Sequence, residues 1–228
     1  MIITIDGPAA SGKSSLAQYL AKDLGFIYLS SGMIFRAIAY VLKNNFGYVV
    51  ETIDNVSEDE LDQIFNLNAF SYVFNSKDGS IKISFREKDV TPYLKLKEMD
   101  EYSSLLGKHQ MTRKFIKKLL HDFVENENVV VEGRDMGSAV FPDADFKFYL
   151  TAELDERAKR WREQQQQKGK IYTQKEAKKI VFDRDERDKN RKIDPLCIPK
   201  NAVIIDNTNL KPYQTVDKIK SFLPFLKN

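Results

Sequence analysis

A chain of 228 residues, 42% apolar and 30% charged, is long enough for one sizeable core or a core with a small appended domain, and its composition excludes wholesale disorder. A formal net charge of +3 does not require a nucleic-acid partner, and none is expected. The single cysteine, Cys197, excludes an intrachain disulfide and fits a reducing compartment; with no basic segment leading into a long apolar stretch, and no apolar run near the ~18 residues of a membrane span, a cytoplasmic protein without signal peptide or membrane association is expected.

Residues 2–5 are a short β-branched run that stops at Asp6-Gly7-Pro8, the pattern of a buried strand. Residues 12–24 read as a helix, with Leu16, Leu20 and Leu24 spaced at four and Gly25 as the stop. A strand at 26–29 and a helix at 31–42 follow, and strand, helix, strand, helix this early predicts a parallel α/β sheet. The next stretch changes period. Phe70, Tyr72 and Phe74 alternate, Ile81, Ile83 and Phe85 alternate likewise, and the turn-rich residues 75–80 lie between them. That is a small antiparallel hairpin within an insertion spanning about 45–100. Residues 94–124 are mostly helical and basic. The parallel theme resumes with strands at 129–132 and 146–150, helices at 154–167 and 174–191, a strand at 202–205 and a final helix. No internal repeat is present, and the glutamines at 164–167 read as a solvated helix end.

Gly7-Pro8-Ala9-Ala10-Ser11-Gly12-Lys13-Ser14 matches G-x-x-x-x-G-K-[ST], follows an apolar strand and opens an amphipathic helix. In that context the glycines let the backbone wrap a phosphate with its N–H groups, and the helix dipole adds to the attraction. Lys13 is placed to reach the β- and γ-phosphates and the Ser14 hydroxyl to hold Mg²⁺, with Ser15 next in the helix. The segment therefore predicts ATP or GTP binding. A switch GTPase would carry an Asn-Lys-x-Asp guanine reader; Asn207-Thr208-Asn209 lacks the lysine and the aspartate.

A second phosphate site is expected where the strand 129–132 ends in Glu132, followed by Gly133-Arg134-Asp135. A carboxylate at the tip of a core strand beside a phosphate loop is where Mg²⁺ or its water is held; a surface Arg–Asp pair closing a turn is the alternative. In the helix 174–191, Ala177, Ile180 and Val181 form an apolar stripe that continues as Arg184, Asp188 and Arg191. Charges on a core-facing stripe need partners, and an anionic substrate would supply one; a solvated face laced by i,i+4 pairs is the alternative. Arg36, with Ser31 at the start of its helix, and Arg157, Arg160 and Arg162 on another helix add cations suited to phosphoryl transfer, or to a basic solvated face.

With these residues the chain resembles bacterial-type cytidylate kinases nearly end to end. The stretch from Gly133 to Ala144 is the most specific piece, and the phosphate loop, Ser31-Gly32 with Arg36, and Arg184 to Arg191 fall in the family's order and spacing. The resemblance implies an α/β fold: a P-loop parallel sheet flanked by helices, a small antiparallel β insertion in the monophosphate-binding region, and a short helical lid. It divides the chain into a core of 1–30 and 127–228 with the lid at about 155–172, and a monophosphate-binding region of 31–126 with an inserted hairpin at about 68–90. It implies transfer of the γ-phosphoryl group of ATP to cytidine monophosphate (CMP) and dCMP, with Mg²⁺.

Residue by residue, the resemblance implies that Gly7 to Ser15 and Arg157 bind ATP, and that Ser104 and Arg113, assisted by Asp135, read the cytosine edge. That pairing makes chemical sense, because cytosine N4 donates while O2 and N3 accept. It gives Arg184 and Asp188 to the ribose, Arg36, Arg134 and Arg191 to the acceptor phosphate with Ser31 nearby, and Arg160 to the donor phosphates. Lys13, Arg134, Arg160 and Arg191 are thus the expected catalytic set, and Ser14 and Glu132, the latter through water, the expected metal contacts. The sequence departs from the family at Glu132, where Asp is usual, at Trp161, where a second lid arginine is usual, at Lys95 for an arginine and at Ser30 for an acidic residue. A P-loop kinase of another small acceptor and a non-kinase nucleotide-binding module are the remaining alternatives, and nothing in the sequence demands more than a monomer.

Overall fold

The computed structural model describes residues 1–65 and 69–224. In chain order the elements are β1 (Ile2–Asp6), α1 (Lys13–Leu24), β2 (Ile27–Ser30), α2 (Ser31–Phe46), α3 (Glu58–Phe65), β3 (Phe70–Phe74), β4 (Ile81–Phe85), β5 (Lys88–Asp89), α4 (Lys97–Leu106), α5 (Gln110–Val124), β6 (Val129–Gly133), β7 (Phe146–Thr151), α6 (Leu154–Gln166), α7 (Gln174–Lys189), β8 (Val203–Asp206) and α8 (Pro212–Lys220). A single π-helical turn, Met136–Val140, lies between β6 and β7. Among the described residues the strands form a five-stranded parallel sheet, order β2-β6-β1-β7-β8, and a three-stranded antiparallel sheet, order β3-β4-β5. The expected α/β class with an antiparallel insertion is what the chain adopts.

The chain divides into two compact units, Met1–Leu24 with Val130–Asn228, and Gly25–Val129. β2 lies in the second of these units.

In the first unit β1 pairs with β7 in the register Ile3↔Phe146 to Asp6↔Tyr149, and β7 with β8 from Phe148↔Val203 to Thr151↔Asp206. Ile3, Ile5, Val130 and Val131 are buried, which explains why β1 and β6 read as short apolar runs. β7 buries Phe148 and Leu150 between half-buried neighbours, and β8 at the edge alternates more strongly, Ile205 inward and Ile204 more than half exposed. The α1 stripe of Leu16, Ala17, Leu20 and Ala21 is buried, and Gly25 at φ +68° ends the helix. Thr173 and Glu176 close a capping box on α7, the side chain of each taking the other's backbone N–H, at 3.2 and 2.7 Å. That helix ends at Lys189 with Asn190 as its cap. The expectation of a helix to 191 is therefore corrected: Arg191 follows α7 instead of lying on its stripe.

In the second unit α2 buries Ile34, Ala37, Ile38, Val41 and Leu42 and ends at Gly47, whose φ of +75° lets its N–H reach Leu42 O. The hairpin pairs Phe70↔Phe85 through Phe74↔Ile81; residue 68, where it was expected to begin, lies outside the described residues. β5 is an unexpected third strand, joined by a two-residue turn in which Arg86 (φ +47°) and Glu87 (φ +66°) are both left-handed. The expected 94–124 helix is two helices, parted after Gly107, with His109 as the N-cap of α5. α3 was not expected; Ser57 and Glu60 cap it reciprocally, Ser57 Oγ accepting from Glu60 N at 3.3 Å and Glu60 Oε2 accepting from Ser57 N at 3.1 Å.

Candidate phosphate-binding site

The site begins where β1 runs out. Gly7 has φ +155°, and a Cβ there would stand 2.1 Å from Leu150 O, so the strand can turn beside β7 only with glycine. Ala10 takes a left-handed φ of +56°, a conformation that costs a non-glycine residue roughly 1–2 kcal/mol, and Gly12 at +89° leads into α1. The loop thus delivers the chain to a helix N-terminus, the arrangement that presents successive N–H groups to an anion. Pro8 has no N–H to offer, and the Ala9 N–H is committed to Asp185 Oδ1 at 2.8 Å. Ser14 and Ser15 are exposed on the first turn of α1, while Ser11 is buried and its Oγ has no partner.

Lys13 is buried and donates to Pro8 O at 2.9 Å. Burial, and next the positive charge of Arg134, push its ammonium down to about 7; Glu132 and Asp188 oppose the shift and Arg184 adds to it. Those four groups are therefore within electrostatic reach of Lys13, which brings the predicted strand-tip and α7 residues to the phosphate loop. Glu132 is buried at the end of β6. Arg134 donates from Nε to Asp188 Oδ2 at 2.7 Å, and Arg191 from Nη2 to Asp135 Oδ1 at 2.9 Å and from Nε to Asp194 O. The two arginines of this unit expected at the acceptor phosphate, Arg134 and Arg191, thus each sit against a carboxylate expected at the nucleoside. Half-buried Arg184 sits on α7 one turn before Asp188.

Arg157 is buried, with its guanidinium engaged inside the protein: Nε donates to Ala152 O at 2.9 Å, Nη1 donates to Ala9 O at 3.0 Å, and Nη1 also pairs with Asp185. Arg160 lies one turn further along α6. It donates to Glu156 Oε1 and to Asn207 Oδ1, both at 3.0 Å, and to Asn207 O at 2.9 Å, while Asn207 Nδ2 donates to Ser11 O at 2.9 Å. Arg162 lines an open polar cleft of about 470 Å³ with Glu153, Asp155, Thr208 and Asn209.

The remaining predicted residues lie in the second unit. Ser31 is buried as the first residue of α2; the cap position is Ser30, which makes no side-chain cap bond. Arg36 donates to Leu94 O at 3.2 Å and pairs with Asp100. Ser104 is half-buried on α4. Arg113 is buried on α5, its guanidinium 5.7 Å from the Phe35 ring centre and 3.4 Å from Gly107 O.

Three residues of the first unit escaped the sequence reading. Asp6, at the tip of β1, accepts from Met136 N at 2.8 Å and Gly137 N at 2.7 Å, and burial pushes its carboxyl up to about 7 against those two bonds. It anchors the π-helical turn behind Asp135, at a spot so close that a Cβ on Gly137 would lie 2.6 Å from Thr4 Oγ1. Asp185 is the buried charge of α7: the stripe runs Ala177, Val181, Asp185 at intervals of four, whereas Ile180 is over a third exposed. The signal was in the periodicity, assigned one residue off. Asn207 had no signal beyond its place after a late strand.

The family model described as cytidylate kinase matches residues 3–224. A cytidylate kinase of Thermodesulfovibrio yellowstonii is 37% identical over 209 residues, covering 92% of this chain and 91% of that one. One of Chlamydia trachomatis serovar L2 is 34% identical over 224 residues and 98% of both chains, and one of Caldanaerobacter subterraneus is 35% identical over 217 residues, 95% of this chain and 92% of that one. Among solved structures, an uncharacterized protein from Eubacterium ventriosum is similar in fold, with a TM-score of 0.51 at 15% identity over 98% of both chains.

Proposed function

The chain belongs to the cytidylate kinase family, and on that premise we propose that it transfers the γ-phosphoryl group of ATP to CMP, and also to dCMP, giving ADP and the diphosphate. The observation that carries the reading is the family match over residues 3–224, which takes in every residue assigned a role.

Direct in-line transfer asks for positioning and charge stabilisation and for no covalent enzyme intermediate. Gly7 to Ser15 hold the donor phosphates, with Lys13 on the transferring group. Arg134 and Arg191, together with Arg36 and Ser31, take the acceptor phosphate; Arg184 and Asp188 take the ribose; Ser104, Arg113 and Asp135 take the base. Arg160 turns from Asn207 to the donor phosphates when nucleotide is bound, and α6 with the segment to about 172 closes as a lid that keeps water out. Charged clusters of this kind are held ready by the Arg134–Asp188 and Arg191–Asp135 pairs, whose partners can be exchanged for substrate oxygens.

A magnesium ion suits the residues present. Hard cations take oxygen donors, and the Ser14 hydroxyl and the Glu132 carboxylate are the candidates, Glu132 through water. Among the described residues no group of three or more His, Cys, Asp or Glu is placed to hold a metal ion, so most of its ligands would be nucleotide oxygens and water. Bound there, Mg²⁺ would neutralise charge on the β- and γ-oxygens. The reading is completed by a cytoplasmic monomer with a phosphate-donor core (1–30 and 127–228) and a monophosphate-binding region (31–126). Among the described residues no helix is long and apolar enough to cross a membrane.

Phosphorus NMR of ATP, CMP and Mg²⁺ with the enzyme tests transfer against hydrolysis. ADP and CDP growing in equal amounts support the reading; ADP with inorganic phosphate and no CDP would refute it.

A further inference from the structure

Ala9 lies between Pro8 and the left-handed Ala10, and both of its main-chain polar groups are held by side chains from outside the loop. Its N–H donates to Asp185 Oδ1 at 2.8 Å, and its carbonyl accepts from Arg157 Nη1 at 3.0 Å. The same Nη1 pairs with the other carboxylate oxygen, Asp185 Oδ2. N–H, carboxylate, guanidinium and C=O therefore close a ring on one residue. The ring is out of water: Ala9 and Asp185 are each 2% exposed and Arg157 8%. Its two side chains come from α6 and α7, and Arg157 Nε is anchored on Ala152 O just past β7.

A peptide group is planar, so its C=O and the following N–H point in opposite directions. By taking the Ala9 carbonyl, Arg157 aims the Ala10 N–H away from itself. By taking the Ala9 N–H, Asp185 fixes the peptide whose carbonyl, that of Pro8, accepts from Lys13 Nζ at 2.9 Å. The two peptide planes that lead into the left-handed turn are thereby set. A buried ion pair is no better for stability than well-packed apolar residues, so its use here follows from what it can do and they cannot, which is to orient peptide groups.

We propose that Asp185 and Arg157 are positioning residues that preorganise the phosphate loop for ATP, with Arg157 acting on the loop rather than on the nucleotide. The inference rests on the loop's being the ATP site, as proposed above. α7 carries both this carboxylate and, three residues on, the Asp188 that holds Arg134, so one helix sets the donor loop and an acceptor-side arginine in register.

The test measures ATP and CMP binding separately by calorimetry, with melting temperature, for the wild type, Asp185→Asn, Arg157→Met and the double variant. Each single variant is expected to bind ATP on the order of tenfold more weakly, with CMP affinity within about twofold of wild type. The double variant buries no lone charge; it is expected to recover melting temperature but not ATP affinity, and it carries the test if a single variant fails to fold. ATP affinity that recovers together with melting temperature would overturn the proposal. So would loss confined to Arg157→Met, which would mark direct contact with the nucleotide. A wild type that binds no ATP would instead count against the nucleotide reading itself.

Discussion

Arg134 and Asp188 join Nε to Oδ2 over 2.7 Å, linking the turn after β6 to the last turn of α7. Each serves as the other's counter-charge, and each is assigned to a different part of the acceptor nucleotide. Burial works to raise the Asp188 carboxyl, but the charge and hydrogen bond of Arg134 outweigh it and hold the group below its usual range.

Asp188→Ala leaves Arg134 without its closest anion. With both side chains about a fifth exposed, the expected loss of stability is roughly 1–3 kcal/mol, less than for a fully buried pair. KM for CMP is expected to rise more than KM for ATP. Because the folded-state pKa is depressed, this contribution is present above about 3.8, the ordinary value, and is lost as pH falls through the folded value. Denaturant melts at pH 3 and pH 7 check it: the gap between wild type and Asp188→Ala should shrink at the lower pH.

Lys13 sits near pH 7 without ligand, and polyphosphate favours its charged form. ATP binding at pH 8 should therefore take up a proton, and at pH 5.5 nearly none, read as the buffer dependence of the calorimetric heat. Between about 7 and 10.5 the unfolded chain keeps a proton that the folded one has released, so this group makes stability rise with pH across that window. Lys13→Ala should abolish the uptake, flatten that slope and lower kcat by at least about 10²-fold with the fold intact. Full activity in the variant would remove the phosphate-loop assignment.

Arg113 is buried among Phe35 and the Gly107 carbonyl, so its donors are fixed in direction. Arg113→Ala is expected to lower the CMP over UMP ratio of kcat/KM by about tenfold or more, with ATP affinity little changed. An unaltered ratio would count against base reading by this residue.

The Arg86–Glu87 turn holds two non-glycine residues at positive φ, where Asn-Gly is the usual choice. Glu87→Gly should stabilise the protein by about 0.5–1 kcal/mol with activity unchanged, read by denaturant melts alongside the kinase assay.

The core was legible where burial leaves a one-dimensional trace. The apolar strands, the Leu16–Leu20 stripe and the glycine-rich loop each announce themselves in sequence. β5 does not, because its turn depends on two left-handed residues of no special propensity. α3 carries a capping-box signature in Ser57 and Glu60 that was passed over. At the site, Arg191 was placed on a helix that stops at Lys189, and Asp185 was missed because charge density hides the period of a helix whose exposed face is also charged. Arg157 was recognised as a site residue, but sequence cannot tell an arginine that touches a phosphate from one that touches the loop around it.

The central claim is the acceptor. A coupled ADP-release assay with ATP and Mg²⁺, run separately with CMP, dCMP, UMP, AMP and shikimate, tests it most directly. The account predicts strong turnover with CMP and dCMP and little with the others; turnover confined to a different acceptor, or none with any, would contradict it.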